Sequence, residues 1–504
     1  MNRISCALIA SLISIVGGAQ TSNPTTGAGL SANDAKARQI FERVIAFKTS
    51  VGLGQVPAMA EYLAGEFRAA GFADADIHIL PLGETASLIV RYRADGSGGQ
   101  PILLMAHMDV VTAKREDWQR DPYTLVEENG YFFGRGTLDI KVGVTELTAT
   151  FLRLKAEGFV PKRDLVIVFT GDEEVTQDTA RDLVKNHHDL IDAEYALNSD
   201  AGQGTLDETT GKPTIYGLQT AEKTYTSYEV TTRNPGGHSS QPRKDNAIYE
   251  LADALKKIQV YRFPVMWSDT TLSFFKAMGT LTPGKLGTAM RQFAQNPKNQ
   301  VASDVLNDNF SYVGMTRTTC VATLLRGGHA DNALPQSATA TVNCRIFPGV
   351  KPTDVRETLA NLVGPKVEVA IVGPSHWSDA SPLREDVMAA VTRAVHVRHP
   401  GIPVVAKQES GATDGMFFRA AGIPTYGVSD TFIKDSDDFA HGLNERLPVK
   451  SFYDGLEYWY VLLKDLAGQA TVGHRTTDRS FSRGFRTVSS VNDSLNGSVR
   501  VSIA

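Results

Sequence analysis

PILLMAHMD, residues 101–109, is an apolar run that closes on a histidine and, two residues later, an aspartate. Its length and lack of polar breaks predict a strand buried on both faces. The pattern recurs at DLVIVFTGDEE, residues 164–174, and in shorter form at YALNSD, residues 195–200. Between the first two lies GRGTLDIK, residues 134–141, and then a predicted helix from Val144 to Leu154. Strands alternating with helices predict an α/β fold, a central mixed sheet covered by helices. In such sheets, sites gather beyond the carboxyl ends of the strands. His107, Glu173, Glu174 and Asp200 all fall there. Imidazole and carboxylate are the donors a pair of metal ions needs, with one carboxylate shared between them.

The chain has 504 residues, too many for one ordinary core, so two domains are expected. Hydrophobic residues make up 42% and charged residues 21%, which places it among globular chains. A net charge of −5 provides no basic footprint for nucleic acid.

Residues 31–70 carry apolar positions at helical spacing, among them Ile40, Val44, Leu63 and Phe67. Past about Ala221 the pattern changes. TYTSYEVTTR, an amphipathic helix over 246–258, TTCVATLL, ATATVNCRIF, a helix near 354–362 and KVEVAIVG follow in order. That β-α-β-β-α-β order predicts a ferredoxin-like α+β unit, interrupted by a helical or irregular stretch over 259–316. The first, α/β domain is therefore expected at 31–220 and 375–469, with a second domain inserted at 221–374, which the resemblance drawn below implies to be a lid or dimerisation domain on a catalytic one.

Arg3, the apolar stretch Ile4–Val16 and the small residues Gly17, Gly18 and Ala19 form a secretory signal pattern over residues 1–19. No run is long enough for a membrane span, so export to the periplasm or the outside is expected. The segment 470–504 is rich in Ser, Arg and Thr without periodicity and is expected to be a disordered tail. Beyond the signal only Cys320 and Cys344 remain. If their two strands pair about a loop centred near Asn332, the cysteines fall opposite each other. A disulfide and a pair of small buried side chains both fit.

Taken in order, HMD, GRGTLD, GDEE, NSDAG (198–202) and FAHGLNER (439–446) resemble the co-catalytic zinc metallopeptidases. That family includes carboxypeptidase G, aminoacylase, acetylornithine deacetylase and succinyl-diaminopimelate desuccinylase. The chain looks most similar to its Gly-Xaa carboxypeptidase and N-acyl amino acid hydrolase branch, over residues 35–465. The resemblance implies two Zn²⁺ ions, with Co²⁺ or Mn²⁺ as substitutes. His107 and Asp200 would bind one ion, Glu174 and His441 the other, and Asp139 would bridge them. Asp109 would orient His107, and Glu173 would be the general base. His238, in NPGGHSSQP, would stabilise the tetrahedral oxygen. Asn332, in GGHADNALPQ, and Arg345, in VNCRIFPG, would hold the substrate carboxylate, and Gly411, in ESGATDG, would contact the substrate through its backbone. Relatives often carry a second acidic residue where this chain has Ile140.

Taken singly, these residues have plainer readings: Asp200 as a turn residue, Glu173–Glu174 as a solvated pair, Arg345 as a strand-end ion pair. As an ordered set they predict hydrolysis of an amide bond next to a free carboxylate, in dipeptides, short peptides or N-acyl amino acids. An aminopeptidase or dipeptidase reading a free amine is the alternative enzyme, and a silent zinc-binding protein the alternative class. A homodimer through the inserted domain also follows from the resemblance, with His238 acting within one chain or across two.

Overall fold

A computed structural model describes residues 30–373 and 375–468. The expected signal segment 1–19 and tail 470–504 lie outside the described residues. Strands Ile102–His107 and Leu165–Thr170 are buried at every position. They pair in parallel, His107 beside Thr170, and Tyr195–Asn198 runs parallel on the other flank of Ile102–His107. Around this trio grows a ten-stranded mixed sheet. One end is antiparallel, through Ile77–Leu82 and Thr85–Tyr92. The other continues through Thr425–Gly427, Pro213–Glu222 and Gln203–Leu206 to Phe432–Ile433, with Val404–Glu409 parallel to Pro213–Glu222.

Alternate side chains divide between the two faces, as the pleat requires. Ile102, Leu104 and Ala106 meet helices Ala32–Ala46, Val56–Ala69, Lys141–Ala156, Glu385–Arg398 and Val449–Gly468 in the main core. Leu103 and Met105 point the other way, toward helices Asp178–Asn186 and Gly415–Ala420. Coverage on both faces explains the unbroken apolar runs in the sequence.

At Lys223 the chain leaves the large sheet and enters a second, four-stranded one. Its strands Thr319–Gly327, Ser337–Ile346, Thr224–Arg233 and Val367–Val372 lie side by side in that order, all antiparallel. Helices Ala247–Val260 and Pro352–Val363 cover one face and share its apolar core. This is the strand order of a split β-α-β unit. Cys320 and Cys344 are register partners and form a disulfide.

The stretch 259–316 is mostly helical: Asp269–Leu281, Gly284–Gln295 and Gln300–Asn307. A capping box between Ser268 and Thr271 starts the first helix, and the Asn299 side chain caps the third. These helices do not extend the four-stranded sheet. Phe274, Phe275, Met290, Phe293 and Leu306 form a small core with Met315 that closes on Val405 of the large sheet. Among the described residues, no helix is long and apolar enough to cross a membrane.

Candidate active site

Ile102–His107 and Leu165–Thr170 end side by side, and Tyr195–Asn198 ends beside Met105, so that the loops after all three leave the same edge of the sheet. His107 is the last residue of its strand and is buried. Gly171 follows Thr170 at a point where a side chain would strike Thr85 and the Ala86 carbonyl, which accounts for glycine there. The next residue, Asp172, shapes the turn. Its carboxylate accepts from Thr176 Oγ1 at 2.6 Å, Asp178 N at 2.7 Å and Thr179 N at 3.0 Å. Glu173 and Glu174 are thereby held toward the opening. Asp109 fixes them from the other side, accepting from their backbone N–H groups at 3.0 and 3.1 Å. Its Oδ1 also lies 3.4 Å from His107 Nδ1, while the Asp109 carbonyl lies 3.1 Å from the same nitrogen. These contacts leave Nε2 of His107 facing the site.

The Asp139 carboxylate divides between the two histidines. Oδ1 lies 3.2 Å from His107 Nε2, and Oδ2 lies 3.1 Å from His441 Nε2. His441 Nε2 is also 2.8 Å from Glu174 Oε2, and His107 Nε2 is 3.5 Å from Asp200 Oδ1. The donor atoms of His107, Asp139 and Glu174 all lie within 4.8 Å of one another, as do those of His107, Glu173 and Asp200. The five expected ligands and Glu173 are therefore brought together.

Electrostatics describe the same cluster. Burial pushes Glu173 well above the ordinary carboxylate range, with Asp200 adding to the effect. Burial also pushes Asp200 up to about 7, against the pull of His107. Hydrogen bonds to Asp139 and Glu174 push His441 up to about 10. Burial opposes a charged His107, but Asp200 and the neighbouring carboxylates outweigh it and raise its pKa well above 6.5. Burial likewise disfavours charge on Asp139, yet the two histidines hold it below the usual range. Acids outnumber imidazoles in this confined space, so ionising all of them would leave an excess of negative charge. Divalent cations would balance it, and an oxygen and imidazole donor set without thiolate suits zinc, cobalt or manganese. The residues present fit a metal pair.

Several residues that organise this site went unnoticed in the sequence. Glu445 is fully buried. Its Oε1 accepts from the backbone N–H of Leu138 at 2.7 Å and of Asp139 at 3.0 Å. Its Oε2 accepts from Arg135 Nη1 at 2.6 Å and Gly136 N at 3.2 Å. Arg135 in turn donates to the Gly442 carbonyl at 3.1 Å, beside His441, whose backbone is left-handed at φ 61°. Lys141, also fully buried, donates to the Phe47 carbonyl at 2.7 Å. Asp414 is buried in a small space behind the ligands with Thr170 and Asn198, and burial pushes it up to about 8. The one available signal was position: Glu445 sits four residues after His441, and Asp414 three after Gly411.

The ligand cluster opens into a cavity of about 790 Å³ that Gly411 also lines. Arg345 lies alongside, donating to the Ser410 carbonyl at 2.9 Å and sitting 4.8 Å over the Tyr225 ring. It does not line the cavity, and nor do His238 and Asn332. His238 pairs with Ala333 on a two-stranded ribbon, Gly237–His238 with Ala333–Leu334; Asn332 comes just before the second strand, and its carbonyl accepts from Ser239 N at 3.0 Å. His238 and Asn332 are both exposed, and His238 Nδ1 is 2.7 Å from Ser240 Oγ.

Comparisons with known proteins agree with this geometry. Residues 103–465 match the model of peptidase family M20/M25/M40. The N-fatty-acyl-amino acid synthase/hydrolase PM20D1 of Xenopus tropicalis is 27% identical over 376 residues, 72% of this chain and 72% of its own. A metallo-carboxypeptidase of the M20 family from Sulfolobus solfataricus superposes with a TM-score of 0.64 at 16% identity, covering 87% of this chain and all of that one. A Bacillus subtilis protein described as a dinuclear metal-binding M20 peptidase superposes at 0.53 and 12% identity, covering 87% of this chain and 99% of its own. With the match spanning most of its length and this fold beneath it, the chain belongs to the M20/M25/M40 peptidase family and is a metallopeptidase-type hydrolase of amide bonds.

Proposed function

We propose that this protein hydrolyses the amide bond of N-acyl amino acids, next to the free carboxylate, using two zinc ions. The observation that carries this reading is the division of Asp139 between His107 and His441, one carboxylate oxygen toward each. His107 and Asp200 would hold one ion, Glu174 and His441 the other, with Asp139 common to both. When bound, such a pair lowers the pKa of water and polarises a carbonyl. The chain's own groups do the rest. Glu173 takes the proton of the attacking water and returns it to the leaving nitrogen, a transfer suited to a carboxyl with a raised pKa. Asp109 keeps His107 in one tautomer. Gly411 lines the cavity, and Arg345 stands outside it, bonded to the carbonyl of the lining residue Ser410; a guanidinium there would suit a substrate carboxylate. The names of the PM20D1 relatives favour an N-acyl amino acid over a dipeptide.

Two parts of the reading concern context. The signal pattern at 1–19 and the Cys320–Cys344 bridge support export, since disulfides persist in oxidising compartments. The edge strand Thr319–Gly327 exposes Val321, Leu324 and Leu325, with Ile248 and Tyr249 exposed on the adjoining helix. An exposed apolar edge strand is a pairing surface, which supports a homodimer. The test of the central claim is elemental analysis of dialysed protein with a screen of N-acyl amino acids against dipeptides. About two transition-metal equivalents per chain are expected on the ligand count, and chelation should abolish turnover without unfolding the α/β core. A metal-free preparation with full activity would overturn it.

A further inference from the structure

The cavity has two chemically different halves. One is the ligand cluster. The other is a wall of Ile215, Val405, Phe274, Met278, Tyr312 and Met315. Ile215 and Val405 come from the parallel strands Pro213–Glu222 and Val404–Glu409 of the large sheet. The remaining four come from the helical stretch 259–316, whose only evident business is otherwise its own small core. A helical insertion that merely stiffened the sheet edge would have no need to present these apolar side chains to a cavity joined to the ligand cluster.

We infer that this wall is an acyl subsite, a preformed apolar channel that accepts an extended aliphatic chain on the substrate's acyl side. The inference rests on the reading of the protein as an N-acyl amino acid hydrolase and specifies which acyl groups it takes. Size supports it. The whole cavity, ligand cluster included, is about 790 Å³, within the roughly 300–1,000 Å³ of pockets that enclose whole small molecules. Charge supports it too. Lys407, which lies two residues from Val405 on the same strand, is 3.4 Å from Glu409, so the charges next to this wall pair with each other. Rigidity is the third support. Thr270 Oγ1 is 2.6 Å from Thr220 Oγ1 of the large sheet. The buried Lys223 Nζ donates to the Arg317 carbonyl at 3.1 Å, and Gln408 Nε2 to the Gly314 carbonyl at 3.4 Å. Both ends of the insertion are thus tied to the sheet that carries the ligands. A wall built before the substrate arrives spares the ordering cost that would otherwise weaken binding.

Two measurements on the metal-loaded protein test this. The first is kcat/KM for one amino acid acylated with chains from acetyl to hexadecanoyl. It should rise roughly two- to fourfold per methylene until the wall is filled, the range set by burying one CH2. The second is binding of cis-parinaric acid, a fluorescent long-chain fatty acid that needs no amide bond. Met278→Trp and Ile215→Trp fill the channel from two different elements, a helix of the insertion and a strand of the large sheet. Each should weaken probe binding at least tenfold and lower the hexadecanoyl-to-acetyl ratio of kcat/KM by a similar factor. A flat chain-length profile with no probe binding would overturn the subsite. So would a rising profile that neither variant alters. Probe binding that both variants weaken, with no N-acyl amino acid cleaved, would uphold the subsite and sink the proposed reaction instead.

Discussion

At the scale of single residues, the adjacent acids Glu173 and Glu174 are assigned different work. Glu174 lies 2.8 Å from His441 Nε2 and is the proposed ligand of the pair. Glu173 instead has one oxygen engaged by Gln177 Nε2 at 3.1 Å. Glu173→Gln should keep its metal and lose roughly two to four orders of magnitude in turnover, the span of general-base catalysis. Glu174→Gln should lose metal. Metal analysis beside kinetics separates the two, and the opposite pattern would exchange their roles. A second acid pair, away from the ligands, governs stability. Glu146 and Asp430 are buried against Gly455, where any added side chain would strike both carboxyls. Burial pushes Asp430 up to about 6, and burial with the Asp430 charge raises Glu146 further above the usual range. Folding therefore favours the protonated acids. That contribution is complete below the unfolded pKa and is lost as pH rises toward the folded one. Glu146→Gln keeps a donor for Asp430 but cannot ionise. Relative to the parent, the variant should gain up to about 1.4 kcal/mol of stability per pH unit from about pH 4.5 upward, until Glu146 ionises. Urea midpoints between pH 5 and 8 measure this, and a gap independent of pH would refute it.

At the scale of elements, what the sequence revealed and what it hid have separate physical causes. Ile102–His107 and Leu165–Thr170 were legible because strands buried on both faces must be apolar throughout, and His107, Glu173, Glu174 and Asp200 followed because they lie at or just past the ends of such strands, whereas Asp139 and His441 lie in turns and were read from the order of the motifs. Pro213–Glu222 and Val404–Glu409 were not. Each mixes polar and apolar residues, and their partners lie nearly two hundred positions apart in the chain. The insertion was legible as helical, but its seat on the large sheet depends on packing that no local period encodes. Glu445 was missed for a related reason: an acid in a polar stretch reads as surface, whereas here it is enclosed. It joins two elements that share the site, the 135–139 turn bearing Asp139 and the 441–445 loop bearing His441. Glu445→Ala would leave the backbone donors of Leu138 and Asp139 buried without partners, at about 1–3 kcal/mol each. Lowered thermal stability and weakened metal retention should therefore appear together. Loss of stability with metal affinity intact would mean that Glu445 supports the fold without positioning Asp139.

At the scale of the molecule, the relation to explain is between the ligand cluster and the ribbon of His238 with Asn332 beside it. Within one chain neither residue lines the cavity, and both are exposed. Two arrangements reconcile this with a role in catalysis. The four-stranded unit swings toward the cluster of its own chain, or the ribbon serves the cluster of a second copy. Lys223, at the crossing between the sheets, is buried and donates to Arg317 and Thr319, which favours a fixed junction over a loose one. The exposed edge strand beside the ribbon's own unit offers a surface for a second copy. The second arrangement therefore has more support, and it makes a distinctive prediction. His238→Ala and Glu173→Gln should each be nearly inactive, the first with its metal content unchanged. Mixed under conditions that exchange subunits, the two variants should regain activity, because one site of each mixed dimer then holds both an intact Glu173 and an intact His238. At equal amounts about half the dimers are mixed and one of their two sites is whole, so recovery should approach a quarter of the parent rate on random pairing. No recovery despite proven exchange would place His238 in the service of its own chain. Full activity in His238→Ala alone would remove it from the reaction and leave the ribbon with no part in the chemistry.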